Sequence, residues 1–229
     1  MDAKHPSTPL DILALIPAYN ESDHIVSVVA GARQHLPVLV VDDGSRDATA
    51  ALAQSAGATL VSQQPNAGKG AALKLGFRWA IEHAYAAVIT LDADGQHDPA
   101  EIPAFLELFQ ANACDLIIGE RDFSKIPIVR RISNTIGRVS FSWALGRPVS
   151  DNQSGYRLIS RRLMEAMLAS REQGFQFEVE MILICVRREF QLCSVPIRTI
   201  YADERSHIQP LRHVLEFIRM LLRTRRAMR

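Results

Sequence analysis

Short apolar runs recur through the first half of the chain, each followed by a polar turn and then a segment with a helical pattern. The runs cover residues 12–16, 38–41, 59–62, 86–91 and 115–118, and the segments between them are 23–35, 47–56, 70–83 and 99–112. A strand that returns after a helix pairs in parallel, so this rhythm predicts an α/β fold, a mostly parallel central sheet flanked by helices. The carboxyl ends of such strands share one edge, where open sheets of this kind bind ligands. Three strand-ending loops fall there: Pro17-Ala18-Tyr19-Asn20-Glu21, Asp42-Asp43-Gly44-Ser45, and the stretch from Asp92 to Gln96.

Past Gly119 the rhythm changes. Residues 124–127 read as a loop, 130–145 as a helix, 151–157 as a polar turn leading into 158–161, 177–188 as a helix and 191–200 as a strand. No Gly/Ser-rich linker divides the chain, and 229 residues with 48% hydrophobic content suit one large domain. From Pro210 onward, Leu211, Val214, Leu215, Ile218, Leu221 and Leu222 share one helical face, with Arg212, Arg219, Arg223 and Arg226 on the other. Such a basic amphipathic helix at 208–229 either lies in a membrane interface or packs on the domain with its basic face in solvent.

The charges, 26 basic and 25 acidic, nearly cancel and give no overall field for nucleic acid. Residues 1–9 are expected to be a flexible terminus without the apolar core of a signal peptide. No run approaches the roughly 18 apolar residues of a membrane span, so the chain is expected not to cross a bilayer by itself. Cys114, Cys185 and Cys193 are odd in number, lie among apolar residues and lack paired zinc-ligand spacing. They read as reduced core thiols of a cytosolic protein, with neither metal nor disulfide implied.

Chemistry concentrates in the strand-ending loops. Asp92-Ala93-Asp94-Gly95 delivers two carboxylates one residue apart, hard oxygen ligands suited to a divalent cation on a diphosphate. The bland alternative is an acidic polar turn. Asp43 is placed to accept hydrogen bonds from the N–H edge of a base such as uracil or guanine, whereas Asp47 reads as an acid at a helix amino terminus. Asn66-Ala67-Gly68-Lys69-Gly70 puts a lysine between glycines at a helix start, a setting for phosphate. It is not a Walker loop, and no GxGxxG follows the first strand, which argues against a nicotinamide enzyme.

Taken with Asp92-Ala93-Asp94-Gly95-Gln96-His97 and Asp151-Asn152-Gln153-Ser154-Gly155-Tyr156-Arg157, these loops resemble the ordered signatures of family 2 inverting glycosyltransferases with a GT-A (Rossmann-like) fold. Within that family the resemblance is to the dolichyl-phosphate mannose synthase branch, the polyprenyl-phosphate glycosyltransferases. It implies a GT-A domain over 10–207, with a nucleotide-sugar half at 10–119 and an acceptor half at 120–207.

The resemblance also implies roles. Pro17, Tyr19, Glu21, Val41, Asp43, Lys69, Asp92, Ala93 and Asp94 would border the nucleotide-sugar. Asp94 and Gln96 would ligate Mg²⁺ or Mn²⁺, with Asp92 near or in that shell. Arg121 and one of Arg130 and Arg131 would meet the diphosphate and the acceptor phosphate, unless each is an ordinary surface charge. Where this branch often carries an arginine followed by Ser-Lys to grip phosphate, this chain has Arg205-Ser206-His207, and a histidine of ordinary pKa about 6.5 is only partly charged at neutral pH.

The implied reaction is transfer of a sugar, with inversion, from a UDP- or GDP-sugar to a polyprenyl phosphate at the cytoplasmic face of a membrane. The implied enzyme is peripheral, with room for a membrane-protein partner. A phosphate acceptor, with a second pKa of roughly 6, needs no base. A hydroxyl acceptor would need one, and Asp151 is then the natural choice. Glu178 and Glu180 sit on a helical pattern and read as structural acids. Two other readings are a non-catalytic nucleotide-sugar or membrane-interaction module and a sugar-phosphate nucleotidyltransferase, whose glycine-rich first loop is missing.

Overall fold

Successive side chains on a strand point to opposite faces, so continuous apolar runs, as found here, need cover on both. The computed structural model, which describes residues 11–121, 139–143, 145–146, 148–149, 151–170, 172, 176–198 and 225, supplies it with helices. The strands are β1 (Ile12–Ala18), β2 (Val38–Asp42), β3 (Thr59–Ser62), β4 (Ala87–Thr90), β5 (Leu116–Arg121), β6 (Arg157–Ser160) and β7 (Leu192–Ile197). The helices are α1 (Ile25–Ala32), α2 (Thr49–Ser55), α3 (Lys69–Glu82), α4 (Ile102–Asn112), α5 (Arg161–Leu168) and α6 (Gln176–Arg187).

Leu13, Leu15, Leu39, Val41 and Val88 pack on one face of the sheet with Ala72, Leu73 and Phe77 of α3, Met164 of α5 and Phe177 of α6. Ile12, Ile16, Val38, Val40 and Ile89 pack on the other with Ile25 and Val29 of α1, Ala53 of α2 and Phe105 of α4. Phe77 is wholly buried and its ring centroid lies 6.1 Å from that of Phe177. Truncating such a residue to alanine costs about 3–5 kcal/mol.

The sheet order is β3-β2-β1-β4-β6-β5-β7, a seven-stranded sheet. β1 pairs in parallel with β2 and β4, and β2 with β3, as the alternating pattern predicts. β6 departs from it, running antiparallel between β4 and β5. The buried carboxylate of Asp115 helps fix this insertion: it accepts from the Ser160 hydroxyl at 2.9 Å, the Gln191 N–H at 2.9 Å and Arg162 at 3.1 Å, gathering the ends of β5, β6 and β7. At the end of β6, Ser160 caps α5 by accepting the Leu163 N–H at 3.3 Å.

One sequence expectation is corrected. Cys114 and Cys193 are joined by a disulfide, with Cα atoms 6.1 Å apart across 79 residues of sequence. β5 and β7 are parallel neighbours, and that adjacency brings the two sulfurs together. Cys185 keeps its thiol and is buried. Among the described residues, no helix is long and apolar enough to cross a membrane. The expected helix at 208–229 lies outside the described residues apart from Arg225, whose guanidinium sits 5.0 Å from the ring centroid of Trp143. The expected terminus at 1–9 also lies outside them, as does most of the expected helix at 130–145.

Candidate active site

A cleft of about 390 Å³ opens at the carboxyl ends of β1, β2 and β4, beside the start of α3. Pro17, Tyr19, Glu21, Asp43, Lys69, Asp92, Ala93 and Asp94 line it, so the sheet edge gathers these expected residues. Val41 is the exception, wholly buried beneath the cleft in the core face that covers α3. Asn66 and Gly68 line the cleft beside Lys69.

The loops after β1 and β2 are stitched into one unit. The Asn20 N–H donates to Ser45 Oγ at 2.9 Å, the Arg46 N–H to Asn20 Oδ1 at 2.8 Å and the Glu21 N–H to Thr49 Oγ1 at 2.8 Å. Asp47 accepts from the Thr49 N–H at 2.9 Å, from its hydroxyl at 2.5 Å and from the Ser22 N–H at 3.2 Å. The Thr49 hydroxyl is the main cause that lowers the Asp47 carboxyl to about 2. Asp47 is thus an acid at a helix start.

Asp43 is 3% exposed and grips the next loop. Its Oδ1 accepts from Gln63 Nε2 at 2.6 Å and from the Ala67 N–H at 2.8 Å, and its Oδ2 accepts from the Gly68 N–H at 2.8 Å. Gly44 permits the turn between them: its φ is +76°, and a Cβ there would sit 3.1 Å from the Asn66 nitrogen.

The floor of the cleft is a charge network. Lys69 Nζ lies 2.5 Å from Asp92 and 2.9 Å from Glu178, a buried acid delivered by the first turn of α6. Burial favours the neutral amine, but the two carboxylates outweigh it and raise the lysine above its usual range. Burial likewise works against the Asp92 carboxylate, and Lys69 reverses it and holds the pKa low. His97 lies 3.9 Å from Asp92 Oδ2, yet its Nδ1 accepts the Asp92 N–H at 2.9 Å and so carries no proton. Burial lowers its pKa further, so we read the contact as imidazole on backbone and not as an ion pair.

Asp92, Asp94 and Gln96 offer only hard oxygen side-chain donors, which suits Mg²⁺ or Mn²⁺ and not zinc. Asp94 lines the cleft, and its Oδ1 accepts the Gln96 N–H at 2.9 Å, which holds the two residues together. Among the described residues no group of three or more His, Cys, Asp or Glu forms a ready metal site. The set therefore fits a cation that takes the rest of its oxygens from a bound phosphate, as Mg²⁺ commonly does.

From the other side comes the loop Asp151 to Gly155. A Cβ on Gly155 would stand 2.7 Å from Asp92 Oδ2 and 2.9 Å from Lys69 Nζ, so only glycine fits without displacing that pair. Asp151 is 2% exposed and accepts from Arg121 Nε at 2.7 Å and Nη2 at 3.0 Å. It also accepts the N–H groups of Gln153 at 3.0 Å and Ser154 at 3.1 Å. Such a two-pronged pairing fixes Arg121 in direction as well as position.

Arg157, 1% exposed, clamps this loop from behind, donating to the carbonyls of Ser154 at 2.7 Å, Asn152 at 3.2 Å and Glu178 at 2.5 Å. Burial lowers its pKa, and Glu178, Asp151 and Asp92 oppose that shift. Patterning missed three members of the site: the Glu178 contact, the Arg157 clamp and Gln63. The Lys69–Glu178 and Asp43–Gln63 contacts and the Arg157 bond to the Glu178 carbonyl join residues distant in sequence, whereas the Arg157 bonds to Ser154 and Asn152 are local. Glu180 is a structural acid, accepting the Ser170 hydroxyl at 2.5 Å. The remaining expected phosphate contacts, Arg131 (or Arg130), Arg205, Ser206 and His207, lie outside the described residues.

Residues 14–168 match the family model described as Glycosyl transferase family 2. The chain is 30% identical over 202 residues to the uncharacterized protein MJ1222 of Methanocaldococcus jannaschii, covering 84% of this chain and 83% of that one. It is 31% identical over 204 residues to the undecaprenyl-phosphate mannosyltransferase of Micrococcus luteus, covering 81% and 82%. It is 30% identical over 201 residues to the polyprenol monophosphomannose synthase of Mycolicibacterium smegmatis, covering 81% and 76%. Its fold is that of the glucosyl-3-phosphoglycerate synthase from Mycobacterium tuberculosis, solved in complex with Mn²⁺, UDP and phosphoglyceric acid. That match has a TM-score of 0.72 at 21% identity and covers 94% of this chain and 77% of the other.

Proposed function

The chain belongs to glycosyl transferase family 2 and is a glycosyltransferase of GT-A fold, and from that premise we propose that it transfers a sugar, with inversion, from a nucleoside-diphosphate sugar to a polyprenyl phosphate. The relatives named for mannosyl transfer to undecaprenyl phosphate and for polyprenol monophosphomannose synthesis support the acceptor class. The observation that carries the reading is the Arg121–Asp151 pair. The buried acid of the loop 151–155, Asp151, is committed to a guanidinium through both oxygens. Were it to take a proton from a hydroxyl acceptor, it would release the arginine it holds. A phosphate acceptor needs no base, and Arg121 is the kind of cation that recognises one.

In this reading Asp43 meets the base, Tyr19 and Glu21 border the nucleoside, and Lys69 stands where the diphosphate enters. Asp94 and Gln96, with Asp92 beside them, would hold Mg²⁺ or Mn²⁺. A divalent cation there supplies Lewis-acid stabilisation of the charge that develops on the departing diphosphate. Lys69 keeps Asp92 ionised and in place, and Gly155 lets the acceptor loop close against it. Arg121 orients the attacking phosphate oxygen. The donor is charged and water-soluble and the acceptor is a lipid, so the two meet at a membrane surface, which we take to be the cytoplasmic face. The tail from Pro210 would add basic and apolar contact there.

A donor screen with Mn²⁺ and a short-chain polyprenyl phosphate, reading released nucleoside diphosphate and labelled lipid, tests this. Labelled lipid from one donor, lost when the cation is chelated, is the expected result. Donor hydrolysis with no lipid product across the panel would overturn the acceptor assignment.

A further inference from the structure

We infer that Gln63 is a specificity-determining residue that matches the cleft to a base whose pairing edge carries a single N–H donor, uracil or thymine, in preference to guanine, which carries two. The inference rests on the reading of the cleft as a nucleotide-sugar site with Asp43 at the base. A carboxylate has about four lone-pair positions. Three of those on Asp43 are filled, two on Oδ1 by Gln63 Nε2 and the Ala67 N–H and one on Oδ2 by the Gly68 N–H. One acceptor position remains on a side chain that lines the cleft.

Uracil and thymine present one donor on this edge, N3–H, between two carbonyls. Guanine presents two adjacent donors, N1–H and the 2-amino group, which pair best with both oxygens of one carboxylate. Here Oδ1 is closed to the second donor by the Gln63 amide at 2.6 Å. Gln63 is held for this task by continuation of the β2–β3 ladder, its N–H donating to the Asp42 carbonyl at 3.0 Å. A buried donor without a partner is disfavoured strongly enough to discriminate bases by about tenfold or more.

The test is titration calorimetry of the full chain with UDP, dTDP and GDP in the presence of Mn²⁺, repeated on Gln63→Met, which keeps the length of the side chain and removes its N–H. The expected result is that UDP or dTDP binds about tenfold or more tightly than GDP to the native chain, and that Gln63→Met narrows this ratio several-fold by opening Oδ1. If Gln63 only props the 63–68 loop, all affinities fall together and the ratio stands, which overturns the inference. GDP binding as tightly as UDP to the native chain overturns it too, while leaving the donor site in place. Failure of all three nucleotides to bind overturns the donor site itself and the inference with it.

Discussion

In the half of the sheet formed by β3, β2, β1 and β4, neighbouring strands run parallel, their residues are mostly apolar, and the carboxylates appear only at the last residue of β2, Asp42, or past the strand ends. In the half formed by β6, β5 and β7, an antiparallel strand is wedged in and the packing leans on buried charge: Asp115, Asp151, Arg157 and Glu178 are all buried. The first half is held by hydrophobic contact and presents its acids on loops fixed by main-chain N–H groups. The second is held by acids and arginines that satisfy one another and the loop carbonyls. The difference teaches where tolerance lies. Polar substitutions in the first half should change ligand binding while sparing the fold, whereas in the second they should strike the fold and the site together.

The largest expected effect breaks the first half without unfolding it. Asp94→Ala should lower sugar transfer by on the order of a hundred- to a thousandfold, with an unchanged urea midpoint, as measured by released nucleoside diphosphate and by denaturation. Next is a break in the second half. Arg157→Met removes a buried cation that donates to three loop and helix carbonyls and should cost about 3 kcal/mol of stability by urea unfolding. If it costs none, the contrast between the halves is wrong.

Asp151→Asn sharpens the comparison at the point where the halves meet. The amide can still accept the Gln153 and Ser154 N–H groups but no longer neutralises Arg121. Transfer should drop by about tenfold, the loss of one charge-assisted contact, and the shape of the pH–rate profile should not change. Complete loss of turnover would instead make Asp151 a base and the acceptor a hydroxyl.

The smallest effect concerns Asp47, exposed and outside the cleft. Its folded pKa of about 2 lies below the ordinary 3.8, so its contribution to stability is present above roughly pH 4 and is lost as pH falls toward 2. Asp47→Asn should therefore be slightly less stable than the native chain at pH 7, and the difference should close in acid, as followed by thermal unfolding.

The same contrast explains what was readable from residues alone. Strands β1 to β4 and the loops around Asp43, Lys69 and Asp94 are written in local patterns, an apolar run and then a turn, and they fold where those patterns place them. β6 is only four residues long, and its place between β4 and β5 depends on Asp115, Ser160 and Gln191 meeting across the chain. Local periodicity carries no trace of that meeting. The Cys114–Cys193 bond and the Lys69–Glu178 pair were hidden for the same reason, since each joins residues from strands or helices whose adjacency is a property of the topology. Asp43 was legible as a cleft acid. Its three hydrogen-bond donors were not, because they come from a segment twenty or more residues away.

The most direct measurement is a competition in one reaction between a prenyl phosphate and the prenyl alcohol of the same chain length, with labelled donor and Mn²⁺. The account predicts that label enters the phosphate and yields an acid-labile glycosyl phosphate lipid, with the alcohol untouched. Label on the alcohol, in a product stable to mild acid, would contradict it.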